Sequence, residues 1–312
     1  LIPIDTENGI FQLDIGSPHG YTGVANITLQ VTDRSGNVTE QVIEYGVSGA
    51  TLMDNTLYHQ GAANAAASAV IDNNYMVVAN DVNQTLNVYR RDQSGEPISS
   101  LDVTQLLDLP DRNNDYSYPT VDIEGGTQIG NRQYWIGSHS NSDNGKRQEN
   151  RYRLFATETQ GQGDNIQLSF VGYYDNLIED LRDWGKQHGF TIGKNNGRPD
   201  IPDGFKIEGL TIAPNGQTAY IGLRTPIIIR DSSTSAIIVP LNNFTSWFNN
   251  GNPSGSPSLG DPIELNLDGL GIRGMECNGN GCLIIAGAID NDEDFALYTW
   301  TGNPNDQPVL RN

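Results

Sequence analysis

Three times along this chain an apolar strand with a charged residue just before a glycine is followed by a turn and a second apolar strand. The first copy is Val121-Asp122-Ile123-Glu124-Gly125-Gly126 with Tyr134-Trp135-Ile136-Gly137-Ser138-His139. The others are Ile207-Glu208-Gly209-Leu210 with Ala219-Tyr220-Ile221-Gly222-Leu223-Arg224, and Ile272-Arg273-Gly274-Met275 with Leu283-Ile284-Ile285-Ala286-Gly287. Antiparallel strands joined by a tight turn begin and end on the same side of a sheet, so Glu124 and His139 are expected near one another. A recurring unit of this size buries its apolar faces by stacking on its own copies.

Extending each copy gives four strands. The first uses Ser68–Ile71, Tyr75–Ala79, Leu86–Tyr89 and Ile98–Val103; the second Ile123–Ile129, Gln133–Gly137, Arg153–Ala156 and Ile166–Val171. The third uses Ile207–Ile212, Thr218–Gly222, Ala236–Val239 and Ile263–Leu267; the fourth Ile272–Cys277, Cys282–Ala286, Phe295–Trp300 and Pro308–Leu310. Thirty-five glycines and fifteen prolines over 312 residues suit many short strands better than long helices. The expected class is all-β: a β-propeller of four-stranded blades, four legible, with up to two more in residues 1–61 and the long loops. The copies exceed the ~40–50 residues of a compact blade, so they carry insertions. Asp175-Asn176 ahead of Leu177, Ile178, Leu181 and Trp184 predicts one helix, and the stretch from Asn242 to Phe248 a shorter one.

Residues 1–47 read differently. Alternation from Ala25 to Thr32, a turn at Asp33–Asn37 and a return from Val38 to Ile43 make a hairpin. Its Val-Thr-Asp-Arg-Ser-Gly-Asn-Val-Thr run resembles the end of bacterial immunoglobulin-like or cadherin-like modules. The expected division is a partial immunoglobulin-like segment over 1–47 and a propeller over 48–312; the alternative is a hairpin covering the main domain.

Thirty-eight acidic against eighteen basic side chains give a formal charge of −20, which repels nucleic acid and anionic lipid and makes cations natural companions. No apolar run approaches the ~18 residues that read as a membrane-spanning helix. Leu1 is not a start methionine, so the numbering is expected to begin inside a longer or processed precursor. Cys277 and Cys282 flank Asn278-Gly279-Asn280-Gly281 and are placed to face one another across a hairpin; two unpaired thiols are the alternative. A bridge there implies an extracellular or cell-surface protein. Calcium is expected at the oxygen-rich run Asp111, Asn113, Asp115 and Asp122, or at Asp290, Asp292 and Asp294, with solvated acidic loops as the alternative. Asn26, Asn37, Asn83 and Asn243 each begin an Asn-x-Thr triplet, a glycan acceptor where the producing cell uses that signal.

Ala67-Ser68-Ala69-Val70, Asp122-Ile123-Glu124-Gly125, Trp135-Ile136-Gly137-Ser138-His139, Arg153-Leu154-Phe155-Ala156-Thr157, Ile207-Glu208-Gly209-Leu210 and Gly269-Leu270-Gly271-Ile272-Arg273 together resemble an uncharacterised bacterial domain family of unknown function. That family is similar to propellers of the esterase-like phytase group. The resemblance covers about residues 50–303 and implies a secreted propeller, without an activity.

Superposing the copies puts Glu124, Glu208 and Arg273 at one position, where the first copy has Ala66. Asp81, His139, Arg224 and Asp290 stand at or near the ends of the paired second strands. In a ring of blades these groups meet at one channel mouth. Glu124, Glu208 and His139 are the candidate catalytic groups there, with Arg224, Arg273 and Asp81 as ligand-binding residues. A purely structural ion-pair network is the competing account. The remaining histidines, His19, His59 and His188, have no company suggesting a metal, and no nucleophile elbow or zinc-protease helix is present. Two function classes follow. One is a secreted, calcium-binding propeller that binds, and as an enzyme hydrolyses, an anionic phosphoester or acidic sugar. The other is a non-enzymatic module for adhesion or surface assembly, joined to neighbouring immunoglobulin-like domains or subunits.

Overall fold

The computed structural model describes residues 57–62, 64–110, 120–193, 197–230, 233–248, 253, 255–290 and 294–311, together with the paths of two earlier strands. Two compact units divide the chain, Leu1–Leu57 and Tyr58–Asn312. In the first, β1 (Gly23–Thr32) and β2 (Val38–Val47) pair antiparallel, from Gly23 opposite Val47 to Thr32 opposite Val38. The hairpin is the one that the alternation predicts; its turn lies outside the described residues.

The second unit holds four antiparallel sheets in a propeller arrangement. Blade one runs in spatial order through β3 (Ala65–Val70), β4 (Tyr75–Asn80), β5 (Thr85–Arg90) and β6 (Ser99–Asp102). Blade two has β7 (Ile123–Ile129), β8 (Arg132–Gly137), β9 (Leu154–Gln160) and β10 (Gln167–Tyr174). Blade three has β11 (Lys206–Ile212), β12 (Ala219–Thr225), β13 (Ile228–Arg230), β14 (Ser233–Leu241) and β15 (Ile263–Leu265). Blade four has β16 (Gly271–Asn278), β17 (Gly281–Gly287), β18 (Phe295–Trp300) and β19 (Val309–Arg311). The expected strands are all present. Blade three adds β13, which pairs with the start of β14, while β14 meets β15 at its middle and β12 at its end.

Every inner strand carries a bulge at the same place. Register shifts fall between Ala65 and Ala67, Ile123 and Gly125, Ile207 and Gly209, and Ile272 and Gly274. The extra residues are Ala66, Glu124, Glu208 and Arg273, the four positions that the superposed copies align. A bulge breaks the strict two-residue alternation and re-aims a side chain, which lets a charged residue leave the sheet face without displacing the apolar ones. The following glycine gives room: a Cβ on Gly125 would stand 2.9 Å from both the Cβ and the backbone nitrogen of Leu210 on the next inner strand.

Blades stack through apolar faces. Val77, Leu86 and Val88 of blade one meet Ile123, Trp135 and Phe155 of blade two. Ile136 and Leu154 meet Ile221 and Val239 of blade three, whose other face brings Tyr220 and Ile238 to Ile272 and Ile284 of blade four. Two helices seal the junction of blades two and three, α1 (Leu177–His188) and the short α2 (Phe244–Trp247). Leu177, Ile178, Leu181 and Trp184 at helical spacing, with Phe244 and Trp247, enter that core. α1 ends on Gly189 in the left-handed conformation.

Inner strands pack in series, β3 on β7, β7 on β11 and β11 on β16; no comparable packing joins β16 to β3 among the described residues. The far face of blade four is accordingly open. Leu283, Ile285, Phe295 and Leu297 lie on it, 51%, 49%, 57% and 42% exposed. Cys277 and Cys282 sit opposite one another in β16 and β17 and form a disulfide, as their spacing suggests.

Candidate functional site

The bulge residues build one ionic cluster. Glu208, 4% exposed, is met by three cations: Lys206 Nζ at 2.9 Å and Arg224 Nη1 at 3.1 Å from Oε1, and Arg273 Nε at 2.8 Å from Oε2. Lys206 also reaches Glu124 Oε1 at 2.8 Å. Arg224 Nη2 donates to the carbonyl of Asp290, and the Arg273 guanidinium lies over the ring of Phe295. Residues from blades two, three and four thus meet through side chains that the sequence places on equivalent bulges. Removing Glu208 leaves Arg224 and Arg273 without their carboxylate, at a typical cost of ~3–5 kcal/mol.

Burial lifts the Glu124 carboxyl to about 7; Lys206 pulls it back down, while Glu208 and Asp122 add to the rise. Burial also works against the Lys206 charge, but Glu208, Glu124 and Asp122 together hold its pKa above the ordinary value. Asp81 is raised by burial and by Asp122, with Lys206 opposing, which brings blade one's contribution to the same mouth.

On one side of the cluster opens a polar cavity of about 230 Å³, lined by Ser140, Asp143, Arg151, Asp200, Lys206 and Arg224, with Pro199. Arg151 Nη1 lies 3.1 Å from Asp122 Oδ2, an ion pair not aligned as a hydrogen bond. The same nitrogen donates to Ser140 Oγ at 2.7 Å and to the Asn141 carbonyl at 3.1 Å. The Nε atoms of Arg151 and Arg224 are both buried and have no hydrogen-bond acceptor among the described residues. Arg224 as a whole is 6% exposed. Two residues beside the mouth hold left-handed backbone, Asp122 at φ 57° and His139 at φ 52°. The Ser138 N–H ties the two segments by donating to the Asp122 carbonyl at 2.8 Å. Non-glycine residues held this way concentrate at functional sites.

His139 is 1% exposed and stacks on Tyr152 at 5.8 Å between ring centroids. Its Nδ1 donates to the Gly137 carbonyl at 2.8 Å, since a carbonyl only accepts, and Nε2 is buried without a partner among the described residues. Burial lowers the imidazole to about 4, with Arg153 adding to the fall and the bond to Gly137 opposing it. The His139 ring therefore meets Gly137 and Tyr152, whereas the Glu124 carboxylate pairs with Lys206.

Of the residues expected to hold calcium, Asp111, Asn113, Asp115 and Asp292 lie outside the described residues. Asp122 pairs with Arg151, the Asp290 carbonyl accepts from Arg224, and the Asp294 carbonyl accepts from the Ala288 N–H. Among the described residues no group of three or more His, Cys, Asp or Glu side chains is placed to hold a metal ion. Lys206, Arg151, Ser140, Asp143 and Asp200 are not among the residues to which the sequence motifs point. For Lys206 a signal exists: Asp122-Ile123-Glu124-Gly125 aligns with Lys206-Ile207-Glu208-Gly209, so opposite charges occupy one position in neighbouring copies.

The family described as "Protein of unknown function (DUF3616)" matches residues 174–309, which run from the end of β10 to the start of β19. No curated protein matches the chain. Among solved structures, the chain is similar to the β-propeller domain of Cps50 (Swd1) from Myceliophteria thermophila, at 8% identity and a TM-score of 0.30, over 84% of this chain and 60% of that one. It is also similar to a putative 6-phosphogluconolactonase from Bacteroides fragilis NCTC 9343, at 13% identity and a TM-score of 0.31, over 92% of this chain and 63% of that one. The chain spans less than two thirds of the length of either structure.

Proposed function

We propose that the protein is an extracellular propeller that binds an anionic small molecule, a phosphoester or an acidic sugar, in the mouth cavity. One observation carries this reading: two guanidinium groups from different blades, Arg151 and Arg224, line the same small polar cavity together with Lys206. An oxyanion bound there takes charge-assisted hydrogen bonds from guanidinium and ammonium groups, which are about twice as strong as neutral ones. Local cations select an anion despite the overall charge of −20, because the field in a cleft is set by its own walls. The Cys277–Cys282 disulfide supports an oxidising compartment. Calcium belongs to the proposal through the loop bearing Asp111, Asn113 and Asp115.

Titration calorimetry with phosphate esters and uronic acids, with turnover read on the same panel, tests the reading. Arg151→Gln removes one donor from a partly exposed position and is expected to weaken binding about 10–100-fold with a near-native melting temperature. A folded wild-type protein that binds no anion on the panel ends the proposal. In that event a non-enzymatic surface-assembly module is the better reading. The open apolar face of blade four favours it, because patches of this kind mark interaction surfaces.

A further inference from the structure

A second cavity, of about 410 Å³, is lined by the inner strands and by the open face of blade four. We infer that this cavity is a ligand site of its own and that it takes an organic cation with an apolar body, such as an alkylammonium. The strand register builds its apolar wall. Glu276 stands opposite Leu283, Gly274 opposite Ile285, and Ile285 in turn opposite Leu297. Directly opposed residues share a sheet face, so these side chains lie together, while the alternate residues Cys277 and Ile284 pack toward blade three. Val70 lines the same cavity from blade one. The volume falls within the ~300–1,000 Å³ of small-molecule pockets.

Charge selects the occupant. Three carboxylates line the cavity, Glu124, Glu208 and Glu276, and among the described residues no Lys, Arg or His does. Glu124 and Glu208 are already paired, with Lys206, Arg224 and Arg273. Glu276 has no cation beside it among the described residues: the Thr211 side chain holds its carboxyl down, against surroundings that lift it to about 7. It is nonetheless exposed, so a ligand in the cavity can reach it. An ammonium group placed there supplies the missing charge and favours the ionised carboxyl, while Leu283, Ile285 and Leu297 cover the hydrocarbon body. A neutral apolar ligand takes water from Glu276 and gives nothing back, and an anion meets three carboxylates. The chain's charge of −20 draws cations toward the site.

Calorimetry on the intact chain with octylammonium, octanol and octanoate, each below its micellar concentration, compares three charges on one hydrocarbon. The expected result is that octylammonium binds about tenfold or more tightly than octanol, and that octanoate does not bind. Glu276→Gln is expected to bring octylammonium down to the affinity of octanol, with octanol binding and the melting temperature unchanged. Leu297→Ser is expected to weaken both ligands, and Arg151→Gln, in the anion cavity, neither. Equal binding of octylammonium and octanol to the wild-type chain overturns the inference, as does octylammonium binding that survives Glu276→Gln. Failure of all three to bind the folded protein removes the site. Sedimentation of the chain alone identifies the other occupant: a dimer that Leu297→Ser dissociates would mean that a second copy covers this face, and would also overturn the inference.

Discussion

Glu124 and His139 carry opposite pH dependences. The folded Glu124 carboxyl titrates at about 7 against an ordinary value of 4.5, so between these values the folded chain holds the proton more tightly than the unfolded one. Its contribution to stability is complete below about pH 4.5 and is lost as pH rises through about 7. His139 is held at about 4 against 6.5, so its contribution is present above 6.5 and lost as pH falls toward 4. Glu124→Gln keeps the shape of the neutral carboxyl and removes only the first effect; the His139 term is common to both proteins and cancels in their difference. The variant is expected to melt at the wild-type temperature near pH 4.5 and progressively above it up to pH 7.5. A difference that does not change with pH would falsify the assignment of a raised Glu124.

Strand β17 places two isoleucines back to back. Ile284 is fully buried between blades three and four, whereas Ile285 lies on the open face, 49% exposed. The same substitution at adjacent positions therefore has unequal consequences. Ile284→Thr loses packing and buries a hydroxyl, at about 2 kcal/mol or more, while Ile285→Thr keeps a β-branched side chain at a surface site and stays within about 0.5 kcal/mol. Urea unfolding of the two variants measures both. Equal losses would mean that the far face of blade four is covered in solution.

Across the whole molecule, 38 acidic side chains against 18 basic ones oppose compaction, and the ionic cluster at the mouth uses four of those cations, counting Arg151. Calcium proposed at Asp111, Asn113 and Asp115 would relieve part of this repulsion. At a hundred times its dissociation constant such an ion adds about 2.7 kcal/mol, which a melting curve registers as a rise over chelator. Monovalent salt at matched ionic strength controls for screening. Identical curves in calcium and in chelator remove the cation from the proposal.

Local chemistry alone placed the strands of four blades, the helix beginning at Leu177, the disulfide pair and the equivalence of Glu124, Glu208 and Arg273. Alternation, turn glycines and a charged residue before a glycine act within a few neighbours, so they are written in the sequence. Tertiary structure decided what those residues meet. Lys206 bridging Glu124 and Glu208, Arg151 reaching Asp122, and Asp200 entering the cavity all depend on how far one blade is turned against the next. The same holds for His139, whose ring is drawn onto Tyr152 by a left-handed backbone that its residue type does not announce. Contacts between loops dozens of residues apart follow from the stacking of apolar faces, and the sequence specifies each of those faces only one strand at a time.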